Sequence, residues 1–535
     1  MPENPNPLTP PSAYPVRRTP VLARNMVATS QPLAAQAGLQ ALQRGGNAVD
    51  AALAAAIALA VVEPTSNGIG GDAFAILWDG SRLHGLNASG RSPAGLTRER
   101  FAGQDKIPER GWDAVTVPGA VSAWVELSQR FGRLPFEELF EAGIRYAREG
   151  FPVGPQTAQA WARSARVLGS FEGFRETFMP SGRVPAAGEI FRSEAHARTL
   201  ELIAQTRGEA FYRGELAGAM VSHAAKTGGL LSEEDLASHE PFWSDTIGKQ
   251  YGGVELHEIP PNGQGLAASI ALGILEHVDL ARHEVDSAEA LHLQIEAMKL
   301  AFADAYRYIA DPAAMEIDYS GLLAKEYLAS RAALIDPARA QDPGYGTPPR
   351  AGTVYLSAAD QGGMMVSFIQ SNFQGFGSGI VVPGTGIALQ NRGAGFTLEE
   401  GHPNVVAGSK LPYHTIIPGF LMRDGMPLGS FGVMGGFMQP QGHMQLVVRL
   451  ETYGQDPQAA MDAPRWQVLE GLKVAVEEEV GQDVIQELRA RGHDVEVDRS
   501  PYGKHFFGGG QLIVRSGEAY VGVSDFRREG QAVGF

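Results

Sequence analysis

A threonine hydroxyl is a weak nucleophile until a base stands beside it, and a free α-amine on the same residue is such a base. Thr353 meets that condition if the chain is cut between Gly352 and Thr353. Of the three Gly-Thr pairs, Thr347 runs directly into Pro348-Pro349 and Thr385 sits in a Pro-Gly turn, so only Thr353 is placed to open a strand. The chemistry this permits is acyl transfer through an ester on the threonine oxygen. The plainer reading of the same residues is a β-branched side chain that begins an ordinary hairpin.

The elements that would hold Thr353 are legible around it. Val354, Tyr355 and Leu356 are β-formers, Asp360-Gln-Gly-Gly363 is turn chemistry, and Met364 to Ile369 is a second apolar run, which together predict a hairpin. Immediately upstream, Gln341 to Arg350 is rich in proline and glycine, the composition of an exposed linker whose ends can separate after a cut.

Composition excludes several classes. The 535 residues are 44% hydrophobic and 19% charged, enough to bury a large core. A net charge of -16 leaves no basic excess for displacing counterions from phosphates, so a nucleic-acid partner is not expected. With no cysteine there are no disulfides, thiolate metal sites or cysteine nucleophiles. The proline-rich start, Met1-Pro-Glu-Asn-Pro-Asn-Pro7, lacks the apolar core of a secretory signal and reads as a flexible tail over residues 1–25, which favours the cytoplasm. The most apolar segment, Ala48 to Val62, is too short to span a bilayer and carries Asp50, so no membrane partner is expected.

Along the chain, Met26 to Ser30 predicts a strand, with Thr29 or Ser30 capping a helix that has Pro32 in its first turn. Asn47 should cap the next helix, which is apolar nearly all round and therefore buried. Gly68-Ile-Gly-Gly-Asp72 feeds a strand and lacks the Lys-Ser/Thr of a phosphate loop, so close backbone packing is its expected role. Residues from Pro118 to about Gly229 are mainly helical in pattern, and Asp286 to Tyr308 is a long amphipathic helix. His277, His283 and His292 lack metal-ligand spacing, and no metal or other cofactor is expected. Short β-rich runs follow the linker as far as Trp466, then a helix at Gly481 to Arg491 and strands from Gly510 to Val523.

Thr353-Val-Tyr-Leu, Phe376-Gly-Ser-Gly-Ile380, Leu389-Gln-Asn391 and Met434-Gly-Gly436 resemble the small-subunit motifs of the γ-glutamyltranspeptidase (glutathione hydrolase) family of N-terminal-nucleophile hydrolases. Gly45-Gly-Asn-Ala-Val-Asp-Ala-Ala52, Glu63-Pro64, Gly68 to Asp72, Val117-Pro-Gly119 and Pro260-Pro-Asn262 resemble its large subunit, in the right order from about Met26 to Gly534. The resemblance implies an α+β fold, a four-layer αββα sandwich. It also implies self-cleavage before Thr353 into a large subunit ending at residue 352 and a small subunit of 183 residues, intertwined in one domain. A homodimer is left open.

The resemblance further implies roles. Thr353 would attack a γ-glutamyl-type amide, its own amine moving the proton. Gly435 and Gly436 would give backbone N–H groups to the oxyanion, although an ordinary glycine turn fits too. Ser371, 18 residues past Thr353, falls where the family has an assisting threonine. Asn372 and Asn391 could hold the acyl group's carboxylate or amine, or equally stabilise turns; the family's asparagine would fall on Phe373, which weakens Asn372.

Three departures bear on substrate. The family's amine-gripping Gln-x-x-Asp is Arg392-Gly-Ala-Gly395 here, and its serine pair is His414-Thr415. Its large-subunit arginine is shifted by about two places, at Arg91, yet Arg91 and Arg392 could still clamp a carboxylate. Only Asn404 to Lys410 separate Pro403 from Leu411, too few residues for a lid, so an open cleft that favours hydrolysis over transfer is expected.

These features resemble the acylase-like branch of the family, which includes cephalosporin acylases and an oxamate amidohydrolase. The first reading is therefore a self-processing hydrolase of γ-glutamyl compounds. The second is an amidase for other carboxylate-bearing acyl groups. A third, from a different class, is an unprocessed binding or scaffold protein.

Overall fold

The hairpin that begins at Thr353 forms the middle of a seven-stranded sheet in a computed structural model of the chain, which describes residues 18–343, 353–499 and 505–535. Val354–Ala359 and Met365–Ser371 pair antiparallel through a turn in which the Gly363 N–H donates to the Asp360 carbonyl at 2.9 Å. Met26–Thr29 and Gln531–Gly534 extend the sheet on one side, and Asp72–Trp78, Leu83–Ala88 and Phe242–Ser244 on the other. The linker Gln341 to Arg350 lies outside the described residues from 344 onward, as do residues 1–17 and Gly352.

A second seven-stranded sheet runs, in order, Val21–Ala23, Ala519–Ser524, Gly510–Ser516, Met426–Val433, Gly419–Arg423, Val254–Glu258 and Ile247–Tyr251. Both sheets draw strands from either side of Thr353, so the two halves of the chain are woven together. Val21–Ala23, expected within an N-terminal tail, is instead an ordered edge strand.

Side-chain alternation sorts the hairpin into two faces. Val354, Leu356, Ala358, Val366 and Phe368 point to a helical layer that includes Ala48–Val62, all of whose residues are buried as its apolar surface requires. Tyr355, Ala359, Met365 and Ile369 point the other way, against Phe420, Ile513 and Tyr520 of the second sheet. The outer face of that sheet packs on the helices Gly265–Leu275 and Met438–Glu451, and Ala288–Tyr308 packs in turn on Gly265–Leu275. The layering is helix, sheet, sheet, helix.

Asn47 caps Ala48–Val62 with Asp50 in a reciprocal capping box, and the hairpin turn adds a bond from the Ala48 N–H to Asp360 Oδ2 at 2.9 Å. The helix Pro32–Gln43 is capped by Gln31, whose Oε1 accepts from the Leu33 N–H at 2.6 Å, and not by Thr29 or Ser30. Ser30 has another partner, donating to buried Glu63 Oε2 at 2.6 Å. Among the described residues no helix is long and apolar enough to cross a membrane.

The two sheets approach closely where Gly432 faces Tyr355, and a Cβ at position 432 would overlap the Tyr355 ring. Gly432→Ala should therefore lower stability by about 1–3 kcal/mol in denaturant titration. An unchanged midpoint would mean that the sheets are not locked at this spacing.

Candidate active site

Thr353 directly precedes the strand Val354–Ala359, and the alternation that sends Val354 to the helices sends Thr353 between the sheets. Ser371 and Asp72 face each other across neighbouring strands, and both continue the face of Ile369 and Phe74. One end of an otherwise apolar interface is thus polar. The Thr353 hydroxyl lies 3.4 Å from Ser371 Oγ, as a donor, and accepts from Gln439 Nε2 at 3.2 Å. Ser371 Oγ also accepts from the Phe373 N–H at 2.7 Å. Thr353, Ser371 and Gln439 have no solvent exposure.

Gln439 stands in the first turn of Met438–Glu451, three residues past the Gly435-Gly436 pair. Both glycines have positive φ, 119° and 62°, and their carbonyls accept from the N–H groups of Met438 and Gln439 at 3.1 Å. The Gly436 carbonyl is fixed a second time by Gln264 Nε2, at 2.8 Å, and Gln264 also holds the Thr415 carbonyl at 2.6 Å. Behind this turn, the Val433 N–H donates to His443 Nε2 at 3.3 Å, and His443 Nδ1 meets buried Glu258 at 2.6 Å. The turn is therefore held from both sides by buried side chains.

Across the strand pair from Ser371 lies a cluster of charges wholly out of water. Asp72 accepts from Arg392 Nε and Nη2, each at 3.3 Å, and from His414 Nε2 at 2.6 Å. Arg392 Nη1 donates to Thr415 Oγ1 at 2.6 Å, and the guanidinium lies 4.5 Å above the Phe373 ring. Burial alone would push the Asp72 carboxyl up, but Arg392 and His414 together hold it below its ordinary value. Burial, reinforced by Arg392, pushes His414 down to about 4, so the cluster near pH 7 is a carboxylate, a guanidinium and a neutral imidazole.

The structure separates the other sequence candidates. Asn391 is a loop staple: its Oδ1 accepts from the Gln374 N–H at 3.1 Å and its Nδ2 donates to the Glu109 carbonyl at 2.8 Å. The Asn372 amide is buried against Gly68 and Gly71, with no hydrogen-bond partner among the described residues. It follows Ser371 and so leaves the strand on the helical side, away from the nucleophile. Arg91 does not join Arg392 in a clamp. Its Nη1 is committed to Asp311 Oδ2 at 2.7 Å and the Ser409 carbonyl at 3.0 Å, and its side chain is half exposed on a cleft of about 580 Å³ lined also by Ser89, His239 and Phe242. That cleft adjoins the buried cluster: Ser89 bonds to Asn262, whose carbonyl accepts from the His414 N–H at 2.9 Å.

Asn404 to Lys410, expected to be too short for a lid, is pinned down by Ser92 Oγ donating to the Ala407 carbonyl at 2.5 Å and by Lys410 Nζ donating to the Pro403 carbonyl at 2.6 Å.

His292, Glu296 and His493 bring ligand-type atoms within 4.8 Å of one another, the arrangement nearest to a metal site among the described residues. His292 Nε2 must donate to the Asp336 carbonyl at 2.8 Å, so its Nδ1 accepts from His493 Nε2 at 2.8 Å. Lys299 Nζ already lies 2.5 Å from Glu296 Oε1, and a divalent ion there would meet a buried ammonium.

Asp72, Gln264 and Gln439 carry no functional signal of their own in the sequence: Asp72 ends the Gly68 to Asp72 motif and Gln439 lies three residues past Gly436, but neither position reveals its partner. Arg392→Leu would leave Asp72 buried against a neutral imidazole, and should cost about 3–5 kcal/mol in denaturant titration, with part recovered in the Asp72→Asn/Arg392→Leu double variant. A loss below about 1 kcal/mol would mean that the pair is hydrated and not structural.

Residues 34–535 match the family model described as Gamma-glutamyltranspeptidase. The chain is 36% identical to the glutathione hydrolase-like YwrD proenzyme of Bacillus subtilis, over 96% of this chain and 98% of that one. It is also 36% identical to the oxamate amidohydrolase proenzyme of Klebsiella pneumoniae, over 96% and 99%. Among solved structures, a cephalosporin acylase from Bacillus halodurans superposes with a TM-score of 0.94 at 48% identity, covering 98% of each chain. A match this long, joined to the four-layer fold and the threonine-headed central strand, makes this chain a member of the γ-glutamyltranspeptidase family.

Proposed function

We propose that the chain is a self-processing amide hydrolase in which Thr353 is the nucleophile. Processing would sever the Gly352–Thr353 bond and give segments of 352 and 183 residues, freeing the Thr353 amine. The hydroxyl then adds to the substrate carbonyl while the amine takes its proton. Gly435 and Gly436 face the oxyanion, the amine product leaves with the proton, and water hydrolyses the ester. Ser371 and Gln439, at 3.4 Å and 3.2 Å from the hydroxyl, orient it.

The observation that carries the substrate class is the Asp72–Arg392–His414–Thr415 cluster one strand away from Ser371. Arg392 has five N–H groups, of which three are engaged by the described residues, and the other two could take a carboxylate at the far end of a short acyl chain. Gly395 offers no side chain to hold an α-amine. Monoamides of short dicarboxylic acids therefore fit better than γ-glutamyl amides. The pinned segment Asn404 to Lys410 favours water over an amine as the acyl acceptor. The name of one relative, an oxamate amidohydrolase, is consistent with such an acyl group, and the glutathione hydrolase-like relative keeps γ-glutamyl amides as the second reading.

Denaturing mass spectrometry of the purified protein should show two chains, and Thr353→Ala should give one chain of 57.0 kDa with no amidase activity. Glutaryl anilide should be cleaved with a kcat/KM at least about tenfold above that of γ-glutamyl anilide, since one buried amine without a partner costs at least about 1.4 kcal/mol. A Thr353→Ala protein that still appears as two active chains would sink the nucleophile, and a γ-glutamyl preference would sink the substrate class.

A further inference from the structure

The Asp72–Arg392–His414 cluster poses a charge problem that its geometry answers. As it stands it is neutral overall, one carboxylate against one guanidinium, with a neutral imidazole bonded to the carboxylate, and all three side chains are at 0% exposure. Bringing a second carboxylate to the two spare N–H groups of Arg392 would leave a net negative charge in a place that water does not reach. The only counter-charge within the cluster that can be added is a proton.

We propose that the site binds the terminal carboxylate of a short dicarboxylic monoamide together with one proton, which is held by the hydrogen-bonded His414–Asp72 pair. This rests on the amidase reading above and deepens it. Asp72 is then an internal carboxylate that keeps Arg392 ordered and neutralised while the site is empty. When the substrate's carboxylate shares the guanidinium, Asp72 loses part of what keeps it ionised, and the 2.6 Å bond to His414 Nε2 offers the place where the added proton is shared. Among the described residues the charged or titratable groups that face this pair are few. Arg392 opposes protonation of His414, Asp72 favours it, and His239 lies within electrostatic range of Asp72 and is itself kept neutral by burial. The remaining neighbours are uncharged: the Phe74 ring at 4.5 Å, the Ile416 N–H at 3.3 Å from His414 Nδ1, Thr415 and Asn262.

The sign follows from proton counting. The empty cluster holds no extra proton above the depressed titration point of His414, and the occupied cluster holds one. Binding of the carboxylate therefore weakens as pH rises, by about tenfold per unit, until the occupied cluster itself gives up its proton. A neutral acyl end calls for no proton and shows no such slope.

The test compares, on the processed two-chain protein, glutaryl p-nitroanilide with its counterpart whose terminal carboxylate is a carboxamide. The ratio of their kcat/KM values cancels the titration of the nucleophile. It should fall by about tenfold per pH unit over part of the range from about pH 5 to pH 9. Asp72→Asn, checked for processing into two chains, should flatten the ratio and raise it at high pH, because the cluster then starts with a positive charge. A merely structural role for Asp72 would lower both substrates together and leave the slope unchanged. A flat ratio in the wild-type protein, or an unaltered slope in Asp72→Asn, overturns the proposal. Calorimetry of glutarate binding in two buffers of different ionisation enthalpy reads the same proton without turnover: about one proton taken up per glutarate supports the coupling, and none overturns it. Glutarate binding with proton uptake, but no cleavage of either anilide, would defeat the amidase reading while leaving the coupling in place.

Discussion

Asp72 and Arg392 form an ion pair that water does not touch, and much of the candidate site is arranged around keeping it satisfied. Removing either ion from water costs several kcal/mol, and their attraction offsets that only if the remaining donors and acceptors are also used. Among the described residues the structure uses most of them and leaves two Arg392 N–H groups over. His414 and two of the three Arg392 guanidinium nitrogens bond Asp72, Thr415 takes the third, and the Phe373 ring covers the guanidinium. Each partner comes from a different segment: Asp72 from the start of a strand, Arg392 from the loop after Asn391, His414 and Thr415 from the run before Pro418. The pair thereby fixes three loops relative to one another beside Thr353.

Those loops are built by backbone contact more than by side chains, which explains why so many of the family-like motifs are glycines and amides. Gly70 bridges to Leu389, the Gln390 N–H donates to the Gly70 carbonyl at 3.0 Å, and the Gly119 and Ala120 N–H groups both donate to the Gly71 carbonyl. Asn391 ties the loop back to Gln374 and Glu109. Arg392 is thus delivered to Asp72 by a loop that is itself tied down on two sides. Such a mounting suits a group that must hold its charge in a fixed place, because little conformational freedom is left to be lost on binding.

What could be read from the sequence was what local pattern determines. The hairpin at Thr353 shows β-forming residues, turn residues and an apolar run, and Ala48 to Val62 is apolar on every face, so both are legible from local pattern. Pairings between distant residues were not. Nothing in Gly68 to Asp72 indicates that the aspartate meets an arginine 320 positions later, and Arg91 and Arg392 looked interchangeable until Asp311 claimed the first and Asp72 the second. The helix cap at Gln31 was misplaced onto Thr29 or Ser30 because cap preferences are statistical, while Ser30 is drawn to Glu63, a partner that sequence spacing cannot reveal. Asn372 and Asn391 carry the same side chain near the same site, and only the strand's alternation and the loop's hydrogen bonds tell them apart.

The burial of Thr353 joins these points. A hydroxyl with no solvent contact, flanked by Ser371 and Gln439, is shielded from bulk water, and under the proposed function its first acyl partner is the peptide bond directly before it. That reaction needs no opening, since nucleophile and carbonyl belong to adjacent residues, and exclusion of water strengthens whatever dipoles face the developing charge. The second reaction does need an opening, because a substrate must reach the same oxygen. The 580 Å³ cleft beside Ser89 and Arg91 is one hydrogen-bonded residue, Asn262, away from His414. A route from that cleft would meet the charged cluster before the nucleophile, so an incoming acyl group would be sorted by its carboxylate end first and its amide presented to Thr353 second.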